Sequence, residues 1–336
     1  MSDQTNISWA DATWNPIVGC SLVSPGCTNC YAMRDAHRIV ASGVTHYQGL
    51  VEKRHGKAVW TGKVALAPEA VLTKPLRWRR PRRIFVNSMG DLFKESVPDA
   101  WIDRVFAVMA LAPQHQFQLL TKRSKRMREY MTNAGAYDRI LRAAEPFRAA
   151  NGALCRIPIS NPMDAAFWPH LWLGVSAEDQ ARADERVPDL LATPAAVRFI
   201  SAEPLLGALR LHEIRSEGRT IDALRGETWV PQAEGVRYDL RRWPHAPRLD
   251  WVIVGGESGP GARPMQPDWA RDLRDQCAAA GVPYFFKQFG EYGPNGLIDD
   301  DGRKIPGSEW LDRLGKKLAG RRLDGVEHNA FPEPRA

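Results

Sequence analysis

The sequence predicts a mixed α/β protein, a partial or full (β/α) barrel of mainly parallel strands. Three observations lead there. Short β-branched or aromatic runs alternate with stretches of helical periodicity. Each run ends on a polar or glycine-rich exit. A loop dense in cysteine, GCSLVSPGCTNCYA at 19–32, follows the first run.

The first strand is expected around Trp14 to Val18. RIFVNSMGDLF (83–93) is apolar through Val86 and turns polar at Asn87, Ser88 and Asp91. HQFQLLTKRSKRM (115–127) exits at Thr121 and Lys122. LWLGVSAED (171–179) exits at Ser176 and Glu178, and VRFISAEP (197–204) at Ser201 and Glu203. LDWVIVGGESG (249–259) leaves through Gly255 and Gly256 to Glu257. VPYFFKQFG (282–290) ends on Lys287 and Gln288. Helical stretches fall between them, at 98–113, 177–193 and 267–281. The last ends in a glycine suited to a helix C-cap. About seven β units result, which also fits a doubly wound sheet. In either fold the strands' C-terminal ends face one ligand-binding side. The polar exits Asp91, Lys122, Ser176, Glu178, Glu203, Glu257 and Lys287 should converge there; singly, each reads as a cap or turn residue. Residues 212–248 are charged, with few long apolar runs, and read as an insertion forming a lid or surface subdomain. The C-terminal extension 291–336 ends in a basic segment that reads as a short helix and an extended tail.

The chain has 336 residues, 44% hydrophobic and 25% charged, enough for one sizeable core. No apolar run approaches the ~18 residues of a membrane helix. The N-terminus lacks a basic region followed by an apolar stretch. A cytoplasmic protein without membrane contact is the expectation. The formal charge is +7, and the excess is clustered. Lys74, Arg77, Arg79, Arg80, Arg82 and Arg83 lie close together around Trp78. Such a stretch suits phosphate, and an indole among arginines can stack on a base; the plain alternative is a solvated basic loop.

Three of five cysteines, Cys20, Cys27 and Cys30, share one loop in the pattern C-x6-C-x2-C. An odd number in a large chain argues against a disulfide framework. Cys155 and Cys277 are isolated and read as small apolar residues or free thiols. Clustered thiolates ligate soft metals. His37 could complete a Cys3His zinc site in a nucleic-acid-binding module without enzymatic activity. The other reading is a [4Fe–4S] cluster held by three thiolates, leaving one iron open to a small molecule. Gly19, Pro25 and Gly26 would let the backbone wrap closely around it.

A three-cysteine loop after a first strand, with an aromatic after the last cysteine, resembles the radical S-adenosylmethionine superfamily. The usual first gap there is three residues; here it is six. More closely, ISWADATWNPIVGC, LGVSAEDQARADERVPDLL, RFISAEPLLG and DWVIVGGESG resemble the phage Gp37/Gp68-like three-Cys-motif family, a domain of unknown function. The resemblance implies one radical-SAM-like barrel over 1–336 and an associated three-Cys-motif partner protein. It implies iron ligation by Cys20, Cys27 and Cys30 and, with a reductant, cleavage of S-adenosylmethionine to a 5′-deoxyadenosyl radical. The turn Ser88, Gly90, Asp91 would then meet the methionine amino group. Ser176 and Glu178 would hold ribose hydroxyls or charged methionine groups. Gly255 and Gly256 would admit adenine close to the backbone. Lys122 is a candidate for a carboxylate or phosphate, or else part of a solvated turn. Glu203 and Glu257 are a candidate acid–base pair; alternatively Glu257 holds Arg263 in a salt bridge. Arginines and phage kinship point to a nucleotide or nucleic acid as substrate.

Overall fold

Seven strands pair in parallel and in chain order: β1 (Ala12–Trp14), β2 (Arg83–Val86), β3 (Gln116–Thr121), β4 (Leu171–Ser176), β5 (Val197–Ala202), β6 (Trp251–Gly255) and β7 (Tyr284–Gln288). The sheet curls into a half-barrel, consistent with a partial (β/α) barrel. The computed structural model describes residues 5, 7–151, 168–231, 237–239, 247–295 and 310–333. Cys155 and parts of 212–248 and 291–336 lie outside the described residues.

Helices α1 to α6 are Tyr31–Ala41, Asp99–Ala110, Ser124–Met131, Ala136–Asn151, Gln180–Leu191 and Pro267–Ala280. Of these, α2 to α6 cover one face of the sheet, and α1 packs instead against Val18, Tyr47, Trp60 and Met89. The expected helices at 98–113, 177–193 and 267–281 are α2, α5 and α6, and Gly281 caps α6 in the left-handed region at φ +66°. The large core lies here, with Phe106 and Val108 of α2 and Leu190 of α5 against Phe117, Leu173 and Val252 of the sheet. Even-numbered and odd-numbered strand residues divide between the two faces, as the strand period requires.

The concave face holds a second, aromatic core without helices: Phe85, Trp172, Phe199, Trp251 and Phe285, closed by Trp9 and packed against Phe331. Trp251 stands 4.9 Å from Phe331 and 6.3 Å from Trp9, ring centre to ring centre. Trp251 and Arg83 begin their strands, and both meet Phe331. The aromatic floor therefore sits at the strands' N-terminal ends, and the other end is left for a site. Gly174 of β4 faces Phe199 across the ladder. A Cβ there would meet the Phe199 ring at 2.5 Å. The ring occupies the volume that any side chain at 174 needs.

One feature departs from the sequence reading. The first strand begins earlier, at Ala12, and ends before Pro16, which has no N–H to donate to a ladder. Ile17–Val18 instead pair antiparallel with Ala65–Leu66. Within 212–248, Ile214–Ser216, Arg219–Asp222, Glu227–Pro231 and Arg237–Asp239 form a separate antiparallel sheet between β5 and β6. In the C-terminal segment, Lys316–Ala319 is a short helix. No helix among the described residues is long and apolar enough to cross a membrane.

Gly174→Ala should lower stability by about 1–3 kcal/mol, the usual cost of overpacking a core. Urea denaturation measures it, and adding Phe199→Leu should recover part of the loss. An unchanged midpoint in Gly174→Ala would contradict this packing.

Candidate functional site

The C-terminal ends of the strands surround a cavity of about 940 Å³, within the range of small-molecule sites. Every candidate site residue lines it except Glu178 and Gly255. No described residue of 212–248 does so. Cys20, Cys27 and Cys30 all open on this cavity.

The cysteine loop follows β1 through a close backbone crossing. Gly19 has φ +94°, and a Cβ there would meet the Lys63 carbonyl at 2.3 Å. Its N–H donates to Met89 O at 3.0 Å, and Gly19 bridges Gly90. A Cβ at Gly90 would meet Ile17 O at 2.9 Å. Gly90 is thus a glycine because two loops cross there. Pro25–Cys27 form one tight turn, and Cys30 stands at the N-cap of α1.

Two buried carboxylates pin this turn. Glu178, after β4, is fully buried and accepts Gly26 N–H at 3.0 Å. Its other oxygen faces Lys122 Nζ at 3.4 Å and Arg186 Nη1 at 3.2 Å. Arg186 is itself buried and donates to Ser176 O at 2.8 Å. Burial raises the Glu178 pKa, but Lys122, Ser24, Gly26 and Arg186 outweigh it and hold the carboxyl at about 2. On the other side Glu257 takes a bidentate pair from Arg263, at 2.9 and 2.7 Å. Arg263 also donates to Pro25 O at 3.0 Å, and Asn29 Nδ2 donates to Glu257 at 3.1 Å. Burial opposes these bonds, yet they hold Glu257 below its ordinary value.

These contacts assign several candidates. Lys122 meets a carboxylate, that of Glu178. Glu257 holds Arg263, while Glu203 pairs with Lys287 at 2.6 Å. The two glutamates serve separate cations, Arg263 and Lys287. Asp91 has no lone pair left for a methionine ammonium. Its Oδ1 accepts Phe93 N–H and the Thr121 hydroxyl, and its Oδ2 accepts Lys122 N–H and Arg123 Nη1. Ser88 donates to Asn15 Oδ1 at 3.1 Å and accepts Tyr31 OH on its carbonyl at 3.1 Å. Ser176 is buried, with its hydroxyl region on the cavity wall. A Cβ at Gly256 would meet Phe289 O at 1.8 Å, and one at Gly255 the Glu203 carboxyl carbon at 3.3 Å. The chain itself thus fills the side-chain positions at these two glycines, and Gly256 still lines the cavity.

Sequence reasoning missed Asn15, Asn29, Arg123 and Arg186. Asn15, Asn29 and Arg123 act on partners far away in sequence, and Arg186 reaches back from α5 to the strand exit 8 and 10 residues before it. The basic stretch 74–83 ends where β2 begins, at the opposite end from the cavity. Trp78 is buried, with Arg82 at 4.8 Å and Lys74 at 5.4 Å over its ring and His115 at 5.8 Å. It is covered by its own neighbours and is not an open stacking surface.

Three thiols on one cavity are the kind of donor that soft metals take. Among the described residues, no three His, Cys, Asp or Glu side chains are gathered to hold one metal ion. His37 does not line the cavity. That disfavours the Cys3His zinc arrangement. Cys20 feels the charge of Cys30, and Cys30 that of Cys27. Burial pushes the Cys20 thiol up to about 12, with Asp91 adding to the rise and Arg123 opposing it. Burial raises Cys30 as well. Raised thiols are poor free nucleophiles.

Fold and site define a half-barrel α/β protein with a thiol-lined cavity at its strand ends. The chain belongs to the family described as "Protein of unknown function (DUF5131)", whose model matches residues 4–332. Neither the radical-SAM nor the phage Gp37/Gp68-like kinship is part of that match. No curated protein and no solved structure matches the chain.

The Glu178 anchor carries a pH signature. Its folded pKa of about 2 lies below the ordinary 4.5. The stabilisation is therefore complete above pH 4.5 and is lost as pH falls through about 2. Glu178→Gln should cost about 3–5 kcal/mol at pH 7, the usual cost of breaking a buried pair. That gap should narrow on acidification by on the order of 3 kcal/mol, read by urea denaturation across pH 7 to 2. A pH-independent gap would refute the anchor.

Proposed function

We propose that this protein is an iron–sulfur enzyme of radical S-adenosylmethionine type acting on a nucleotide or nucleic acid. The observation that carries this reading is the placement of Cys20, Cys27 and Cys30. One loop presents all three to a cavity at the strand ends of a half-barrel. They would hold a [4Fe–4S] cluster, leaving its fourth iron for the cofactor. When bound and reduced by an external donor, the cluster supplies the electron that cleaves S-adenosylmethionine.

The chain's own residues do the rest. Glu178 and the Glu257–Arg263 pair fix the turn bearing Cys27. Asp91 and Arg123 fix the arm bearing Cys20. Ile7, Trp9, Phe85 and Leu120 give the cavity an apolar wall that excludes water and suits a flat ring. Arg34 and Lys316 reach the cavity without an ion pair among the described residues. Two cations without a salt bridge among the described residues, one of them within the field of Glu203, suit a phosphate-bearing substrate. The associated three-Cys-motif protein would be a partner at this open side.

Anaerobic reconstitution with iron and sulfide tests the reading. The wild-type chain should bind about four irons per molecule, the content of a [4Fe–4S] cluster, and gain visible absorbance; Cys27→Ala should do neither. Reduced protein should convert S-adenosylmethionine to methionine and 5′-deoxyadenosine. Stoichiometric zinc, with no iron uptake, would sink the proposal.

The substrate class has its own test, the salt dependence of single-stranded oligonucleotide binding. Arg34→Ala and Lys316→Ala should each reduce the slope of log affinity against log salt by about 0.7. Arg79→Ala and Arg80→Ala, on the opposite end, should leave it unchanged. The reverse pattern would move nucleic acid away from the cavity.

A further inference from the structure

Seven residues, TKRSKRM at 121–127, carry four cations on the exit of β3. The structure sends them to different places. Lys122 goes to Glu178. Arg126 caps the carbonyls of Lys94, Glu95 and Val97 and pairs with Asp99. Arg123 alone turns to a cysteine. Its side chain is 5% exposed, and Nη1 lies 3.6 Å from Cys20 Sγ and 3.0 Å from Asp91 Oδ2. Nη2 donates to the Ser21 carbonyl at 3.3 Å and its hydroxyl at 2.8 Å, and Nε faces Glu95 at 3.4 Å.

Every edge of the guanidinium fork is engaged, so its direction toward Cys20 is fixed. A buried arginine of this kind stays charged. Two contacts fall on Ser21 and one on Cys20, so the fork also holds the arm that aims the first cysteine. Asp91 orients the fork in turn, and its carboxylate is filled by four donors.

We propose that Arg123 is a positioning residue for Cys20. It holds the cysteine's arm and places positive charge and an N–H against its sulfur, raising the reduction potential of a cluster bound there. This rests on the iron–sulfur reading above. The physical basis is that donors and positive charge at a ligand sulfur favour the more negative, reduced state. Asp91 acts with the opposite sign, because its carboxylate lies beside the same sulfur.

The signs give the test. The full chain is reconstituted anaerobically, its iron and sulfide are quantified, and the cluster's midpoint potential is titrated with electron paramagnetic resonance detection. Arg123→Gln should shift the potential to more negative values, by removing the cation and leaving Asp91 uncompensated. Arg123→Lys, which keeps the charge, should shift it less. Asp91→Asn should shift it to more positive values. A purely structural role would not move the two variants in opposite directions. Cluster-bearing Arg123→Gln at the wild-type potential overturns this role and leaves the iron–sulfur reading standing. A wild-type chain that takes up no iron overturns both. If Arg123→Gln retains no cluster, Asp91→Asn decides: a positive shift supports the role, and an unchanged or negative one overturns it.

Discussion

A fully buried carboxylate, Glu178, governs the geometry of the site. Removing an ion from water costs several kcal/mol unless partners replace the hydration. Glu178 meets that demand with one backbone N–H and two cations, and each partner comes from a different part of the chain. Gly26 brings the cysteine turn, Lys122 the exit of β3, and Arg186 the helix α5. The three cannot move independently while the charge stays buried. Gly26 must also be glycine, since a Cβ would meet the same carboxyl carbon at 3.0 Å.

Asp91 and Glu257 repeat this logic on other strand ends. Each is buried, each is saturated by protein donors, and each restrains the cysteine loop or its neighbour. The acids are therefore the frame of the site. What the cavity keeps for a ligand is different in kind: soft sulfur, an apolar wall, and the cations Arg34 and Lys316. The negative charge of these acids is spent on holding the site in shape.

The sheet was legible because its runs are short, apolar and punctuated, and because parallel strands buried on both faces show near-continuous hydrophobicity. The exits converge as read, since parallel strands must point one way. The first strand was misplaced by reading through Pro16. Helices α1, α3 and α4 went unread: SKRMREYM is too polar to show its stripe, though Met127, Tyr130 and Met131 are buried. Candidate residues were found from position, but their partners were not. Nothing in the sequence joins Asp91 to Arg123, or Glu178 to Gly26, until the sheet is folded. The glycines of VGGESG mislead in the same way, because the atoms that demand them belong to Glu203 and Phe289.

The aromatic floor has a consequence for how the barrel is completed. Trp9 and Phe331 belong to opposite ends of the described chain, yet both pack on Trp251. The Trp251 indole N–H, inside a fully buried side chain, donates to Ala330 O at 2.8 Å. A growing chain that stops short of Ala330 leaves that N–H without its acceptor and the ring without its cover. During synthesis, the vessel's base is sealed only once this stretch emerges, long after the cysteine loop has been made.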